Sequence, residues 1–173
     1  MKINYNKIID NGTVYNLSTW AITQELFDWI RNNIPTGSII LELGSGEGTG
    51  ILSKYYTMYS VEHDKQWLNK YKSNYIHAPL INDLWYDPQI LVKNLPVKYD
   101  LLLVDGLPTS RRRLLFWDNR HIFNLSVPII LDDTVRPEER EVAMKFKYLG
   151  FRVEFIDAMR GRKQFAVVHN VPT

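Results

Sequence analysis

The sequence predicts an α/β fold, a doubly wound and mostly parallel seven-stranded sheet with a C-terminal antiparallel hairpin and helices on both faces. Apolar runs alternate with amphipathic stretches along the 173 residues, as in alternating strands and helices. Residues 99–104 form a nearly continuous apolar run, which is typical of a central parallel strand buried on both faces. Residues 151–156 and 164–169 are joined by a connection too short for a helical crossover, which predicts an antiparallel pair.

The remaining elements follow from caps, breakers and periodicity. Ser18 or Thr19 is the predicted cap of a first helix that runs to about residue 33 and turns Trp20 inward. Asp64 is the predicted cap of a helix that carries Trp67 and Tyr71. The other strands are predicted at residues 39–43, 57–62, 74–79 and 127–131, and the other helices at 48–55, 88–93, 111–123 and 137–149.

Composition excludes several classes of protein. The 45% apolar content and the length predict one globular domain over residues 1–173, with residues 1–17 as an extension or a lid. The absence of cysteine excludes disulfides, thiolate metal sites and cysteine nucleophiles. No signal-type or membrane-spanning apolar run is present, so a cytoplasmic enzyme is expected.

A glycine-rich loop follows the strand predicted at residues 39–43 and precedes a helix. Gly44, Gly46 and Gly48 let the backbone turn tightly and approach a ligand, and the helix beyond offers free N–H groups. The dinucleotide pattern G-x-G-x-x-G fails, because its third glycine would fall on Thr49 or Ile51. No P-loop pattern is present either. The loop therefore disfavours a nucleotide-dependent oxidoreductase or a P-loop enzyme.

Glu62 ends the next predicted strand, 18 residues beyond Gly44. A carboxylate at this point of an α/β sheet can accept hydrogen bonds from both hydroxyls of a ribose. The alternative is that Glu62 is an ordinary exposed acid. Glu62 thus supports a nucleoside ligand without specifying which one.

The loop sequence, E-x-G-x-G-x-G, resembles motif I of the class I S-adenosylmethionine-dependent methyltransferases, and the order of predicted elements resembles that family over most of the chain. The resemblance implies S-adenosylmethionine as cofactor. It also implies contacts with the methionine moiety by the motif residues Glu42, Gly44, Ser45, Gly46 and Gly48.

The same resemblance places the rest of the cofactor. Glu62 would hold the ribose with His63 packed beside it, and the backbone of Ala78 and Pro79 would lie against the adenine. The sequence departs from the family here, because Pro79 stands where many members have an acid that contacts the adenine amine.

Three carboxylates end two further predicted strands. Asp105 follows one strand, and Asp132 and Asp133 follow its expected neighbour, so these side chains should lie close together and repel one another unless a cation joins them. The arrangement resembles metal-dependent O-methyltransferases and implies a Mg²⁺ site made by all three. The alternatives are turn or capping roles for these residues, or a metal-free reaction with Asp105, Asp133 or His63 as general base.

Nine of the ten arginines follow residue 110, and several fall in loops expected at the cofactor rim. Arg111 and Arg136 are candidates for binding an anionic acceptor, because guanidinium groups bind carboxylates and phosphates well. The alternative is surface pairing with Glu138, Glu139 and Glu141.

These observations predict an S-adenosylmethionine-dependent methyltransferase acting on a hydroxyl of a small molecule, such as a sugar or polyol. A nucleic-acid or protein methyltransferase is an alternative. The net charge of +2 and the sequence Asp-Gly-Leu-Pro after the strand at 99–104, instead of N/D-P-P-Y/F, speak against nucleic-acid bases. A non-catalytic cofactor-binding domain is the third hypothesis, and it would not need the three aspartates together.

Overall fold

The computed structural model describes residues 6–107 and 110–171, without the side chains of residues 110–112. The strands, numbered in chain order, are β1 (Lys7–Asp10), β2 (Thr13–Asn16), β3 (Ile39–Leu43), β4 (Thr57–Glu62), β5 (Asn74–His77), β6 (Leu80–Ile81), β7 (Trp85–Tyr86), β8 (Leu101–Val104), β9 (Ile129–Leu131), β10 (Arg152–Ala158) and β11 (Lys163–His169). The α-helices are α1 (Gln24–Asn33), α2 (Glu47–Leu52), α3 (Pro88–Asn94), α4 (Ser110–Asn119) and α5 (Pro137–Tyr148).

Seven strands form the central sheet in the order β10-β11-β9-β8-β3-β4-β5. The five strands β9, β8, β3, β4 and β5 run parallel to one another. β11 pairs antiparallel with both β9 and β10. The predicted doubly wound sheet with its antiparallel hairpin is therefore confirmed. The strand order reverses between β3 and β8, so the carboxyl ends of these two strands mark the crevice where such sheets bind ligands.

Both faces of the sheet are covered. Ile40 and Leu41 point to opposite faces of β3, and each is fully buried in a separate apolar core. One core includes Leu26 and Ile30 of α1, and the other includes Phe146 of α5. This double burial explains why the central strands are nearly continuous apolar runs.

Two predicted helices differ from those observed. The first begins later, because Thr23 is its cap and accepts a hydrogen bond from the Leu26 N–H (3.3 Å). Trp20 precedes this helix and is 71% exposed, so the prediction that it faces inward was wrong. The helix after Asp64 is only a 3₁₀ turn, Lys65–Trp67, and Asn69 lies just beyond it in the left-handed region with φ of 61°.

Two hairpins were absent from the sequence-based prediction. β1 and β2 pair with each other and pack on α1, where Ile8 is fully buried and the Ile9 N–H donates to Gln24 Oε1 (2.6 Å). β6 and β7 form the second hairpin, whose turn residues Asn82 and Asp83 both have positive φ. Asn-Asp between two short apolar stretches is a turn signal that could have predicted it. Among the described helices, none combines the length and apolar character required to cross a membrane.

Candidate active site

A cleft of about 300 Å³ lies at the carboxyl ends of the central strands. The loops after β3, β4, β8 and β9 line it, together with the chain between β2 and α1. The cleft therefore occupies the crevice where the strand order reverses, as expected for a ligand site in a sheet of this topology.

The glycine-rich loop is held in close contact with the loop after β8. Gly44 has a φ of +88°, and a Cβ atom on it would lie 2.4 Å from the Cα of Gly106. Only glycine allows this approach of the two backbones. The Gly44 N–H donates to the Val61 carbonyl (2.8 Å) and the Gly46 N–H to Thr49 Oγ1 (3.0 Å). The start of α2, with the N–H groups of a helix N-terminus, is thereby fixed at the cleft.

Glu42 does not line the cleft, and its predicted contact with the cofactor stays a prediction. Its side chain is buried beneath the loop and accepts hydrogen bonds from Thr49 Oγ1 (2.6 Å) and Ser60 Oγ. Gly48 does not line the cleft either, and it packs against Ile22. Glu42 thus supports the loop from below.

The buried position of Glu42 predicts a pH-dependent stability. Desolvation raises the pKa of its carboxyl to about 7, against hydrogen bonds from Ser60 and Thr49 that lower it. The folded state therefore favours the protonated form. Its contribution is fully present below about pH 4.5, the pKa in the unfolded chain, and is lost as the pH rises to about 7.

We expect Glu42→Gln to remove this component, so the difference in unfolding free energy between variant and wild type should change by about 3 kcal/mol from pH 4.5 to 8. Denaturant unfolding across this range is the measurement. Glu154→Gln, at an exposed position of β10, is the control and should leave the profile unchanged. Parallel profiles for Glu42→Gln and wild type would contradict the expected titration.

Glu62 is a buried acceptor at the base of the cleft. Its Oε1 accepts from the N–H groups of His63 (2.7 Å) and Asp64 (2.8 Å). Among the described residues, its Oε2 accepts only from the Ser45 N–H (3.1 Å). A carboxylate oxygen has two lone pairs, so Oε2 retains one for a ligand. The structure thus brings the predicted residues Gly44, Ser45, Gly46, Glu62 and His63 to one cleft.

The predicted adenine contacts are placed differently. Neither Ala78 nor Pro79 lines the cleft, and Ala78 is fully buried with its N–H donating to the Glu62 carbonyl (2.9 Å). Asp64 and Trp67 line the cleft instead, because the 3₁₀ turn after β4 folds beside it.

The three predicted aspartates do meet. Asp105, Asp132 and Asp133 each offer one carboxylate oxygen, and these oxygens lie within 4.8 Å of one another. Desolvation and the neighbouring carboxylates raise the pKa of Asp105 well above its usual value and also raise the pKa of Asp132. Asp133 has a φ of 60°, in the left-handed region that aspartate adopts more readily than most residues with a side chain.

Arg113 is a further site residue that was not among the predicted candidates. It is 4% exposed, and its guanidinium donates to the carbonyls of Asp132 (2.9 Å) and Asp105 (2.9 Å). It also lies 3.6 Å from the Asp105 carboxylate, 3.5 Å from that of Asp133 and 3.6 Å from that of Glu139. Its position one helical turn before the fully buried Phe116 of α4 is the signal that could have marked it as inward-facing.

The structure describes the side chain of only one of the two arginines predicted to bind substrate. Arg136 lines the cleft and pairs with Asp133 (3.0 Å) and Glu139 (3.5 Å). Both acids are buried, so these contacts are not the surface pairing that was the alternative. Arg111 lies in the first turn of α4, and its side chain is outside the described part of the structure.

The chain between β2 and α1 forms one side of the cleft. The Ser18 N–H donates to Glu47 Oε2 (2.6 Å), which ties this segment to the first turn of α2. The Asn6 amide donates to the carbonyls of Ser18 (2.9 Å) and Ala21 (3.0 Å) and holds the segment from behind. The cleft-lining residues Ser18, Trp20 and Ala21 come after residues 1–17, so the lid predicted there stays a prediction.

Solved structures of low sequence identity share this arrangement of strands and helices. A precorrin-6y C5,15-methyltransferase from Geobacter metallireducens superimposes with a TM-score of 0.59 and 12% identity, over 98% of this chain and 100% of that one. An rRNA methylase from Streptococcus thermophilus gives a TM-score of 0.60 and 10% identity, over 86% and 96%. The magnesium protoporphyrin IX methyltransferase of Synechocystis, solved with bound S-adenosylmethionine, gives 0.50 and 12%, over 84% and 77%.

The chain has the class I methyltransferase fold. No family model matches the sequence, and no curated protein matches it. At these identities the likeness to class I methyltransferases concerns the fold alone. The three neighbours are named for different acceptors, so the class I methyltransferase fold does not specify the acceptor.

Proposed function

We propose that the chain is a methyltransferase that binds S-adenosylmethionine in the cleft. The observation that carries the proposal is the joint position of two groups of residues. A nucleoside-type site, made of the glycine loop, the start of α2 and Glu62, opens into the same cleft as Asp105 and Asp133. The fold that holds this cleft is one used by methyltransferases. A non-catalytic binding domain would have no use for the carboxylates beside the cofactor.

The acceptor we propose is the hydroxyl of a small molecule, such as a sugar or polyol. We place the acceptor at the rim of the cleft, where Arg136 is among the lining residues. Arg136 is only partly buried at that rim, and a guanidinium there suits an acceptor that carries a carboxylate or phosphate. Arg136 would then exchange its pairing with Asp133 or Glu139 for the acceptor.

The reaction requires a base for the hydroxyl proton and an alignment of the acceptor oxygen with the methyl carbon. The acceptor hydroxyl gives its proton to a carboxylate, its oxygen forms a bond to the methyl carbon, and the carbon–sulfur bond breaks to leave S-adenosylhomocysteine. In a metal-free reaction, Asp105 and Asp133 are the candidate bases because both line the cleft. Burial and the neighbouring carboxylates raise the pKa of Asp105, so its ionised form is a stronger base than an ordinary carboxylate.

The aspartate cluster fits a divalent cation. With every group ionised, Asp105, Asp132, Asp133 and Glu139 carry four negative charges, and Arg113, Arg136 and the nearby Lys163 carry three positive ones. Asp132 Oδ2 is buried without a hydrogen-bond partner among the described residues, as a metal-ligating oxygen would be. Oxygen donors of this kind suit Mg²⁺, which when bound would lower the pKa of an acceptor hydroxyl. Asp105, Asp132 and Asp133 would hold it.

Transfer of a labelled methyl group from S-adenosylmethionine tests the proposal. The acceptors to compare are neutral and anionic sugars, total RNA and a protein extract, each with and without Mg²⁺. We expect labelled sugar or polyol products, with Mg²⁺-dependent transfer that Asp132→Ala abolishes. Asp157→Ala, at an exposed position of β10, is the matched control. Label found in RNA or protein alone would refute the small-molecule acceptor. A transfer rate that is the same with and without Mg²⁺ would refute the proposed metal site.

A further inference from the structure

Tyr86 is a fully buried tyrosine of β7 that belongs to the cleft lining. Its hydroxyl has no hydrogen-bond partner among the described residues. Burying a polar group without a partner is costly, and such groups are rare in folded proteins. Phenylalanine would pack in the same space without this cost. The hydroxyl of Tyr86 therefore needs an explanation that the ligand-free chain does not supply.

The hydroxyl lies at the point where the strand order reverses. A Cβ atom on Gly106 would come within 2.4 Å of the Tyr86 hydroxyl and 2.6 Å of the Leu43 carbonyl oxygen, so the hydroxyl occupies space that only glycine leaves open. At its other end, the Tyr86 ring meets the His63 ring edge-on, with 6.2 Å between ring centres. The side chain thus extends along the base of the cleft from His63, next to Glu62, to Gly106, next to Asp105.

The charges around the phenol make it a hydrogen-bond donor. Burial, and secondly the Glu62 carboxylate, raise the pKa of Tyr86, so the hydroxyl keeps its proton at neutral pH. Arg113 acts in the opposite direction, and Asp105 acts in the same direction as Glu62. Neither carboxylate is hydrogen-bonded to the phenol. A ligand hydroxyl that donates to Glu62 presents its own oxygen lone pairs beside this donor.

We propose that the Tyr86 hydroxyl binds the nucleoside half of the cofactor, by donating a hydrogen bond to a sugar hydroxyl that itself donates to Glu62. This role rests on the proposed function, because it takes the ligand to be S-adenosylmethionine or its product. Tyr86 then contacts the sugar from the base of the cleft. Gly106 is required because any side chain there would displace the phenol.

Tyr86→Phe removes the donor and preserves the ring. Its affinity should be measured by calorimetry for S-adenosylhomocysteine and for 5′-methylthioadenosine, which keeps the nucleoside and lacks the amino-acid portion. We expect both ligands to bind about three- to tenfold more weakly, the loss of one neutral hydrogen bond. The melting temperature of the ligand-free variant should equal or exceed that of the wild type, because the unpartnered hydroxyl is gone.

Tyr99→Phe is the matched control. Tyr99 is also buried, but its hydroxyl accepts a hydrogen bond from the Asn124 N–H (2.6 Å), and it precedes β8 at the end of the sheet opposite the cleft. We expect a lower melting temperature and unchanged affinities. Unchanged affinities in Tyr86→Phe, or a loss confined to S-adenosylhomocysteine, would overturn the role of Tyr86. Failure of the wild type to bind either ligand would instead refute the proposed function.

Discussion

Replacing Glu62 with alanine is expected to weaken the binding of S-adenosylhomocysteine at least 100-fold. One lost hydrogen bond to a charged acceptor costs about 1.5–3 kcal/mol, and Glu62 Oε2 has one lone pair left to accept such a bond from the ribose. The substitution also frees the N–H groups of Ser45, His63 and Asp64, which loosens the loop around the ligand. Calorimetric titration of the variant and the wild type is the measurement.

Glu62→Gln separates the two causes. The amide oxygen can still accept from His63 and Asp64, whereas its NH₂ group faces the Ser45 N–H and cannot accept from the ribose. We expect its affinity to fall between those of wild type and Glu62→Ala. Glu154→Gln, remote on β10, controls for the loss of one negative charge. Wild-type affinity in Glu62→Gln would show that the ligand does not use this carboxylate.

Replacing Arg113 with methionine is expected to destabilise the protein by about 3–5 kcal/mol, the usual cost of removing one member of a buried ion-pair network. The change leaves the carboxylates of Asp105, Asp133 and Glu139 without their shared guanidinium. It also removes the hydrogen bonds from Arg113 to the carbonyls of Asp105 and Asp132, which connect the segments that follow β8 and β9. Denaturant unfolding at neutral pH measures the loss.

Arg152→Met is the matched control for Arg113→Met. Arg152 is exposed on β10 and pairs with Glu154 at 3.1 Å, so its loss should cost less than about 1 kcal/mol. If Arg113 compensates the negative charge of the aspartate cluster, adding Mg²⁺ should restore part of the lost stability in Arg113→Met. A loss below about 1 kcal/mol for Arg113→Met would contradict its assigned place in the network.

The sheet could be predicted because its signals are local. The apolar run that includes Leu101–Val104 and the short connection between β10 and β11 each allow few alternatives. The acid cluster could also be predicted, because parallel strands bring their carboxyl ends to one edge. The same rule placed Glu62 beside the glycine loop.

What the sequence could not predict depends on contacts between distant parts of the chain. Arg113 stands in a run of three arginines, and only the packing of α4 on the sheet shows which of them is buried. Glu42 belongs to the motif, yet Thr49 and Ser60 draw its carboxylate beneath the loop. Tyr86 lay in a stretch with no assigned element, and the β6–β7 hairpin carries it into the cleft.

Calorimetric titration of the wild-type protein with S-adenosylhomocysteine, with NAD⁺ as the comparison ligand, tests the central claim most directly. The geometry of the glycine loop and Glu62 predicts one molecule of S-adenosylhomocysteine bound per chain and no binding of NAD⁺. Binding of NAD⁺ with no response to S-adenosylhomocysteine would contradict the assignment of the cleft to a methyl donor.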